Sequence, residues 1–190
     1  MKLKKINAVI SLFTAAAALG HIGTMAYTFV TSQRINVTWL SWTFMGLCSV
    51  HAVLGMIAVF MGGDGTRANL YPEKNMKTVV QRITAALIFP LLILHINTFT
   101  WGESLAENGQ MFLFWLLILA QVMFFLVVLA HTGISVPKAF VTLGLITQEK
   151  TLKRVERCCL IFFCLVFLAS VIFVIRKEVM VIFMIAGVGR

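Results

Sequence analysis

The chain has 190 residues, of which 60% are hydrophobic and only 12% charged, with a formal net charge of +9. A soluble domain is about 45–50% apolar, with about a quarter of its residues charged. The composition therefore excludes an ordinary soluble domain, because one small core could not bury so much apolar surface, and it predicts an integral membrane protein.

Stretches without Asp, Glu, Lys or Arg locate the membrane spans in chain order. A helix needs about 20 apolar residues to cross the hydrocarbon core, and five stretches are long enough or nearly so. We predict an all-α, single-domain protein over 1–190. Its five transmembrane helices, I to V, are predicted at about 6–31, 38–62, 80–101, 110–135 and 155–176. A sixth apolar run, Val179–Val188, is too short to span, and we expect it at a surface or packed on the bundle.

The N-terminal segment has features of a secretory signal, since basic residues precede an apolar stretch with small residues at Ala15–Ala18. However, the apolar stretch continues to Val30, which exceeds the roughly 7–15 residues of a signal core. We therefore interpret it as helix I.

Basic residues are concentrated on one side of the predicted spans. They precede helix I and occupy the II–III and IV–V connections: Lys2, Lys4, Lys5, Arg67, Lys74, Lys77, Arg82, Lys138, Lys150, Lys153, Arg154 and Arg157. The positive-inside rule then places this side, with the N-terminus, in the cytoplasm. Arg176 and Lys177 fall on the other side, but charges late in the chain count less. Topology thus explains the net charge without a nucleic-acid partner.

The four histidines, His21, His51, His95 and His131, fall one in each of helices I to IV. Ionisable residues inside a membrane are costly and mark functional sites. The alternative is a structural role in hydrogen bonds between helices. We would favour that role for one lone histidine, but four histidines distributed one per helix favour a functional site.

The depths of the histidines predict how they pair. Short connections predict an up-down-up-down bundle of helices I–IV, with I diagonal to III and II diagonal to IV. At about 1.5 Å per residue, His21 and His95 lie about 22 and 20 Å from the cytoplasmic side, and His51 and His131 about 17 and 8–9 Å. Two axial ligands of one haem need similar depths, which His21 and His95 satisfy well. His51 and His131 match less closely, and helix tilt would have to absorb the difference.

Neutral imidazole suits iron, and bis-histidine ligation suits electron transfer because it leaves no coordination position open. We therefore predict that the two histidine pairs hold two stacked haem b groups. Arg82 and Lys138 lie near the predicted cytoplasmic ends of helices III and IV, where either could pair with a haem propionate. Their alternative role is anchoring at the membrane surface, with the stem snorkelling along apolar surface.

The four cysteines, Cys48, Cys158, Cys159 and Cys164, all fall inside predicted spans. None belongs to a Cys-x-x-Cys-His signature of covalent haem attachment. We expect buried small hydrophobic side chains.

Two segments resemble the cytochrome b subunit of succinate dehydrogenases and fumarate reductases. Val80-Gln81-Arg82-Ile83-Thr84, leading to Leu94-His95-Ile96, is similar to that family's Gln-Arg-x-Thr…His-Ile pattern. His131-Thr132-Gly133-Ile134, followed by Pro137-Lys138-Ala139-Phe140 and Leu143-Gly144, is similar to the segment around its fourth ligand. Five helices with a histidine in each of the first four also resemble the two-haem, single-subunit members.

This resemblance implies a non-catalytic electron-transfer subunit of a succinate:quinone or quinol:fumarate oxidoreductase in a bacterial cytoplasmic membrane. Such an anchor passes electrons between a membrane quinone, menaquinone or ubiquinone, and a flavoprotein and iron–sulfur pair on the cytoplasmic face. It also implies that His21 and His95 ligate the outer haem, and His51 and His131 the inner one. We expect the soluble subunits to contact the cytoplasmic connections, particularly 138–157, where the sequence predicts a loop from about Pro137 to Lys153.

Two other functions stay open at this point. One keeps the haems in a cytochrome b that serves another quinone-linked oxidoreductase. The other is a small transporter or assembly factor whose histidines relay protons or bind a metal ion.

Overall fold

The computed structural model describes the backbone of residues 2–31, 33, 35, 36, 38–62 and 72–185, and the side chains of these except 59–62, 72–75, 99, 184 and 185. These residues form five helices and no strand: α1 Lys2–Thr31, α2 Thr38–Gly62, α3 Pro72–Glu107, α4 Met111–Leu143 and α5 Glu149–Ile185. All five are long and apolar enough to cross a membrane. The predicted fold, a five-helix membrane bundle, is therefore confirmed.

Four helices are longer than the charge-free runs predict, and the difference is largest for α3, α4 and α5. α3 begins at Pro72 and ends at Glu107. α4 continues through Pro137 to Leu143, and α5 begins at Glu149. The loop predicted from Pro137 to Lys153 is therefore wrong except at 144–148. α5 takes in the sixth apolar run as far as Ile185, and the rest of that run lies outside the described residues. The charge-free length measures only the hydrocarbon layer, whereas a helix can continue beyond it because each added residue pairs its own backbone groups.

Glycine ends two of the helices. Gly109 after α3 and Gly144 after α4 have φ of 70° and 80°, a left-handed conformation that glycine adopts without a Cβ clash. The next residues, Gln110 and Leu145, donate their backbone N–H to Leu105 and Phe140 carbonyls at 2.8 and 3.0 Å. This hydrogen-bond pattern is a Schellman motif, and it lets the chain reverse direction within a few residues.

The packing order places α4 at the centre of the bundle. α1 packs against α2 and α4, α3 packs against α4, and α5 covers α4 with smaller contacts to α3 and α1. Across the described part of the chain, neither α1 with α3 nor α2 with α4 makes an extensive contact. The same is true of α2 with α3, which the predicted up-down-up-down bundle would place side by side. Buried side chains concentrate on α4, where Phe114 and Gln121 are fully buried.

The two ends of the bundle differ in charge. We call the end where α1, α3 and α5 begin the basic end. The lysines and arginines there whose side chains are described are Lys2, Lys4, Lys5, Lys77, Arg82, Lys138, Lys150, Lys153, Arg154 and Arg157. The opposite, distal end carries Glu103, Glu107, Arg176, Lys177 and Glu178. An ion pair of 2.8 Å between Lys77 and Glu156 joins α3 to α5 at the basic end.

Replacing Phe114 by alanine should destabilise the bundle, because its ring is fully buried with Ala106 and Ile118, and Ile182 of α5 packs on the same cluster. We expect a loss of about 3–5 kcal/mol from the cavity and the lost packing. The matched control is Phe112→Ala, since that ring is 79% exposed and should contribute little. Thermal unfolding in detergent, followed by circular dichroism, measures both; an equal effect of the two substitutions would contradict this packing.

Candidate functional site

The four histidines lie inside four different helices and meet as two pairs. His51 of α2 and His131 of α4 have ring centroids 6.2 Å apart and ring planes at 68°; we call them the basic-end pair. His21 of α1 and His95 of α3 are close enough to interact electrostatically, and they form the distal pair. The structure thus places His51 next to His131, as the diagonal arrangement predicts, and an electrostatic interaction links His21 with His95. That these pairs bind a metal stays a prediction.

α1 and α2 form the first hairpin, and each of them provides a hydrogen-bond partner for the histidine of the other helix. The Nδ1 of His51 lies 2.9 Å from the amide oxygen of Asn7 on α1. The Nδ1 of His21 lies 3.2 Å from the hydroxyl of Ser41 on α2. An amide oxygen can only accept, so His51 donates from Nδ1, whereas a serine hydroxyl can donate or accept.

A chain of hydrogen bonds orients His95. Its Nδ1 lies 2.8 Å from the amide oxygen of Gln121 on α4, and the amide nitrogen of Gln121 donates to the Thr98 hydroxyl. Thr98 donates its single hydroxyl hydrogen to the Leu94 carbonyl at 2.7 Å, so it must accept from Gln121. His95 must therefore donate from Nδ1. Phe124 stacks on the His95 ring at a centroid distance of 4.8 Å and further restricts its rotation.

His131 also donates from Nδ1, in this case to two groups of α3. Its Nδ1 lies 3.2 Å from both the Gln81 backbone carbonyl and the Thr84 hydroxyl. Thr84 donates its hydrogen to the Val80 carbonyl at 2.7 Å, so both groups accept from His131. In His51, His95 and His131 the hydrogen is thus on Nδ1, and the lone pair is on Nε2. A neutral imidazole with this tautomer is a metal ligand through Nε2, oriented by its second hydrogen bond.

The His51 and His131 rings are close enough to hold one metal ion between them. With a metal–imidazole bond of about 2.0 Å, two rings that share one ion would have centroids about 5–6 Å apart. The observed distance between the His51 and His131 centroids is 6.2 Å. Across the described residues, no three His, Cys, Asp or Glu side chains converge as a metal-ion centre.

Cations lie at the same end of the bundle as the basic-end pair. The Nζ of Lys138 donates to the Gln81 side-chain oxygen at 3.0 Å, and Gln81 is the residue whose backbone carbonyl contacts His131. Lys138 also interacts electrostatically with Arg82 and Lys4. Arg82 is exposed and makes contacts of its own. Both residues predicted to meet a propionate therefore lie at the same end as His51 and His131, and the positive charge there favours an anion.

The expectation that the cysteines are buried is wrong. Cys158 is exposed, and Cys48, Cys159 and Cys164 are only partly buried. The apolar surface of a membrane helix can face lipid instead of protein, so an apolar side chain in a span does not need a core position. All four are free thiols.

Several polar residues of the site have no place in the sequence predictions. Asn7, Ser41 and Gln121 interrupt apolar runs, which is a usable signal in a membrane helix, but the sequence does not identify their partners.

Glu178 of α5 is 2% exposed and packs against Gly102 of α3. Its Oε1 lies 3.5 Å from the Lys177 Nζ, and it has no hydrogen-bond partner among the described residues.

Comparison of the chain with protein-family models, curated proteins and solved structures finds no match.

Proposed function

We propose that this protein is a dihaem b-type cytochrome, the membrane anchor of a succinate dehydrogenase or fumarate reductase type complex. It would pass electrons between a membrane quinone and a flavoprotein and iron–sulfur pair. The observation that carries the proposal is the set of four histidines, which form two interhelical pairs with Nδ1 of each ring engaged by a neighbouring helix.

Two histidines per site favour a haem over a bare metal ion. A protein-bound zinc ion takes three or four side-chain ligands, and each site offers two histidines with no third ligand of that kind among the described residues. A porphyrin would supply the other iron ligands itself, so the two histidines of a pair would be enough to hold a haem. When bound, a haem supplies a one-electron carrier, whose potential the protein tunes through the axial ligands and their surroundings.

The chain holds the two pairs at different depths. Ser41, which contacts His21, and His51, which belongs to the other pair, lie on the same helix. Their ten-residue separation along α2 corresponds to about 15 Å. On α3, Thr84 contacts His131 and His95 lies 11 residues further on, about 16 Å away. Two carriers at this separation would form a path through part of the membrane.

Side chains at the basic end support an anionic group beside His51 and His131. Lys138 and Arg82 could each pair with a haem propionate. Lys138 donates to the side chain of Gln81, whose backbone carbonyl contacts His131. We assign this end to the cytoplasm of a bacterium, with a cytoplasmic N-terminus, because basic residues predominate there. The soluble partner subunits would dock on the same face, and the dicarboxylate chemistry would take place in them.

The haem content tests the proposal directly. The purified protein should yield about two haem b per chain by pyridine haemochrome, with six-coordinate spectra that carbon monoxide does not change. One haem per chain would refute the two-site arrangement. No haem after expression with haem supplementation would refute the function and favour a transporter or assembly factor.

Single histidine variants test the pairing. His21→Leu and His95→Leu should remove one redox component in a potentiometric titration, and His51→Leu and His131→Leu the other, because each pair shares one haem. Leucine adds no polar group in lipid. Loss of the same component from His21→Leu and His51→Leu would contradict the diagonal pairs, and two intact haems in all four variants would make the histidines structural.

Charge reversal tests the docking face. Lys150 and Arg154 are exposed at the start of α5, whereas Lys153 is already paired with Glu149 at 3.1 Å. Lys150→Glu with Arg154→Glu should lower the amount of flavoprotein recovered with washed membranes several-fold while both haems stay bound. The control is Arg176→Glu at the distal end, which should leave recovery unchanged. Equal recovery with all variants would exclude this face, and capture of a flavoprotein for another substrate would redirect the proposal to that oxidoreductase.

A further inference from the structure

Each histidine pair contains one ring held by a carboxamide and one held by hydroxyl or backbone oxygens. Asn7 and Gln121 accept from His51 and His95 at 2.9 and 2.8 Å. The contacts to Ser41, Thr84 and the Gln81 carbonyl are 3.2 Å. The shorter bond is the stronger one, so the two rings of a pair are not held equivalently.

Gln121 is the more constrained of the two carboxamides. Its side chain is fully buried at the interface of α3 and α4, where a hydrogen bond is less weakened by competing water. Thr98 accepts from its amide nitrogen and is itself committed as a donor to the Leu94 carbonyl. In this orientation the amide oxygen accepts from His95 and the amide nitrogen donates to Thr98, so both polar atoms of the buried Gln121 side chain have partners.

We infer that Gln121 is a positioning residue that sets the ligand strength of His95, with Thr98 holding the Gln121 amide in register. The inference rests on the proposed haem function and deepens it. Accepting a hydrogen bond from Nδ1 increases the electron density at Nε2 and makes the imidazole a more basic ligand. A more basic ligand stabilises the oxidised metal, so this contact lowers the reduction potential of the distal haem.

The test uses the full-length haem-loaded protein and follows both redox components by potentiometric titration. The distal component is the one that His95→Leu removes. In Gln121→Leu, which keeps the approximate size but not the acceptor, this component should shift to a higher potential while the other stays in place. Thr98→Val should shift the same component in the same direction by less, because the amide remains but loses its orienting partner.

Asn7→Leu is the matched control, since Asn7 contacts His51 of the other pair. It should move the basic-end component and leave the distal one unchanged. A purely structural role of Gln121 would lower haem occupancy without moving the potential of the haem that remains. Two haems per chain with an unmoved distal potential in Gln121→Leu would overturn the inference and leave the proposed function intact.

If Gln121→Leu loses the distal haem altogether, Thr98→Val decides the matter. A distal potential that Thr98→Val leaves unmoved would then overturn the inference. Absence of haem from the wild-type protein would instead overturn the proposed function itself, and the haemochrome assay on wild type distinguishes this case from the others.

Discussion

The rest of the structure depends on the cost of leaving a polar side chain without a partner in a membrane bundle. Four histidines within apolar helices impose that cost four times, and the chain meets it by pairing each ring with a polar group of an adjacent helix. Asn7 of α1 contacts His51 of α2, and Ser41 of α2 contacts His21 of α1. Gln121 of α4 contacts His95 of α3, and Gln81 of α3 contacts His131 of α4. Since each bond joins two helices at a defined height, the four bonds also align the helices along the bundle axis.

The bonds divide the bundle into two hairpins, α1–α2 and α3–α4, and each hairpin contributes one histidine to each pair. The histidines of a pair therefore belong to different hairpins, and their separation depends on how the hairpins pack together. That packing runs through α4, which contacts α1 and α3 and is covered by α5. α5 carries no histidine, yet its contact with α4 supports the helix on which His131 and Gln121 are placed.

The sequence predicts the features that depend on composition and period, and it misses those that depend on helix rotation. Apolar length predicts all five helices, and depth together with the diagonal arrangement of the helices predicts the pairs His21–His95 and His51–His131. The helix ends differ because a local motif such as that at Gly144 stops a helix, not the edge of the apolar run. The contacts of Gln121 and the exposure of Cys158 could not be predicted, since a rotation of one residue, about 100°, changes the neighbour that a side chain meets.

The hydrogen bonds also determine what the site can do chemically. Three of the rings donate from Nδ1 to groups that can only accept or have no hydrogen left to give, so in the neutral ring the lone pair is on Nε2. The conformational entropy of these rings is therefore lost during folding, and a group that binds between them does not have to order them. His21 is different, because the Ser41 hydroxyl fits either tautomer. Within the distal pair, His95 has the fixed geometry and His21 the adjustable one.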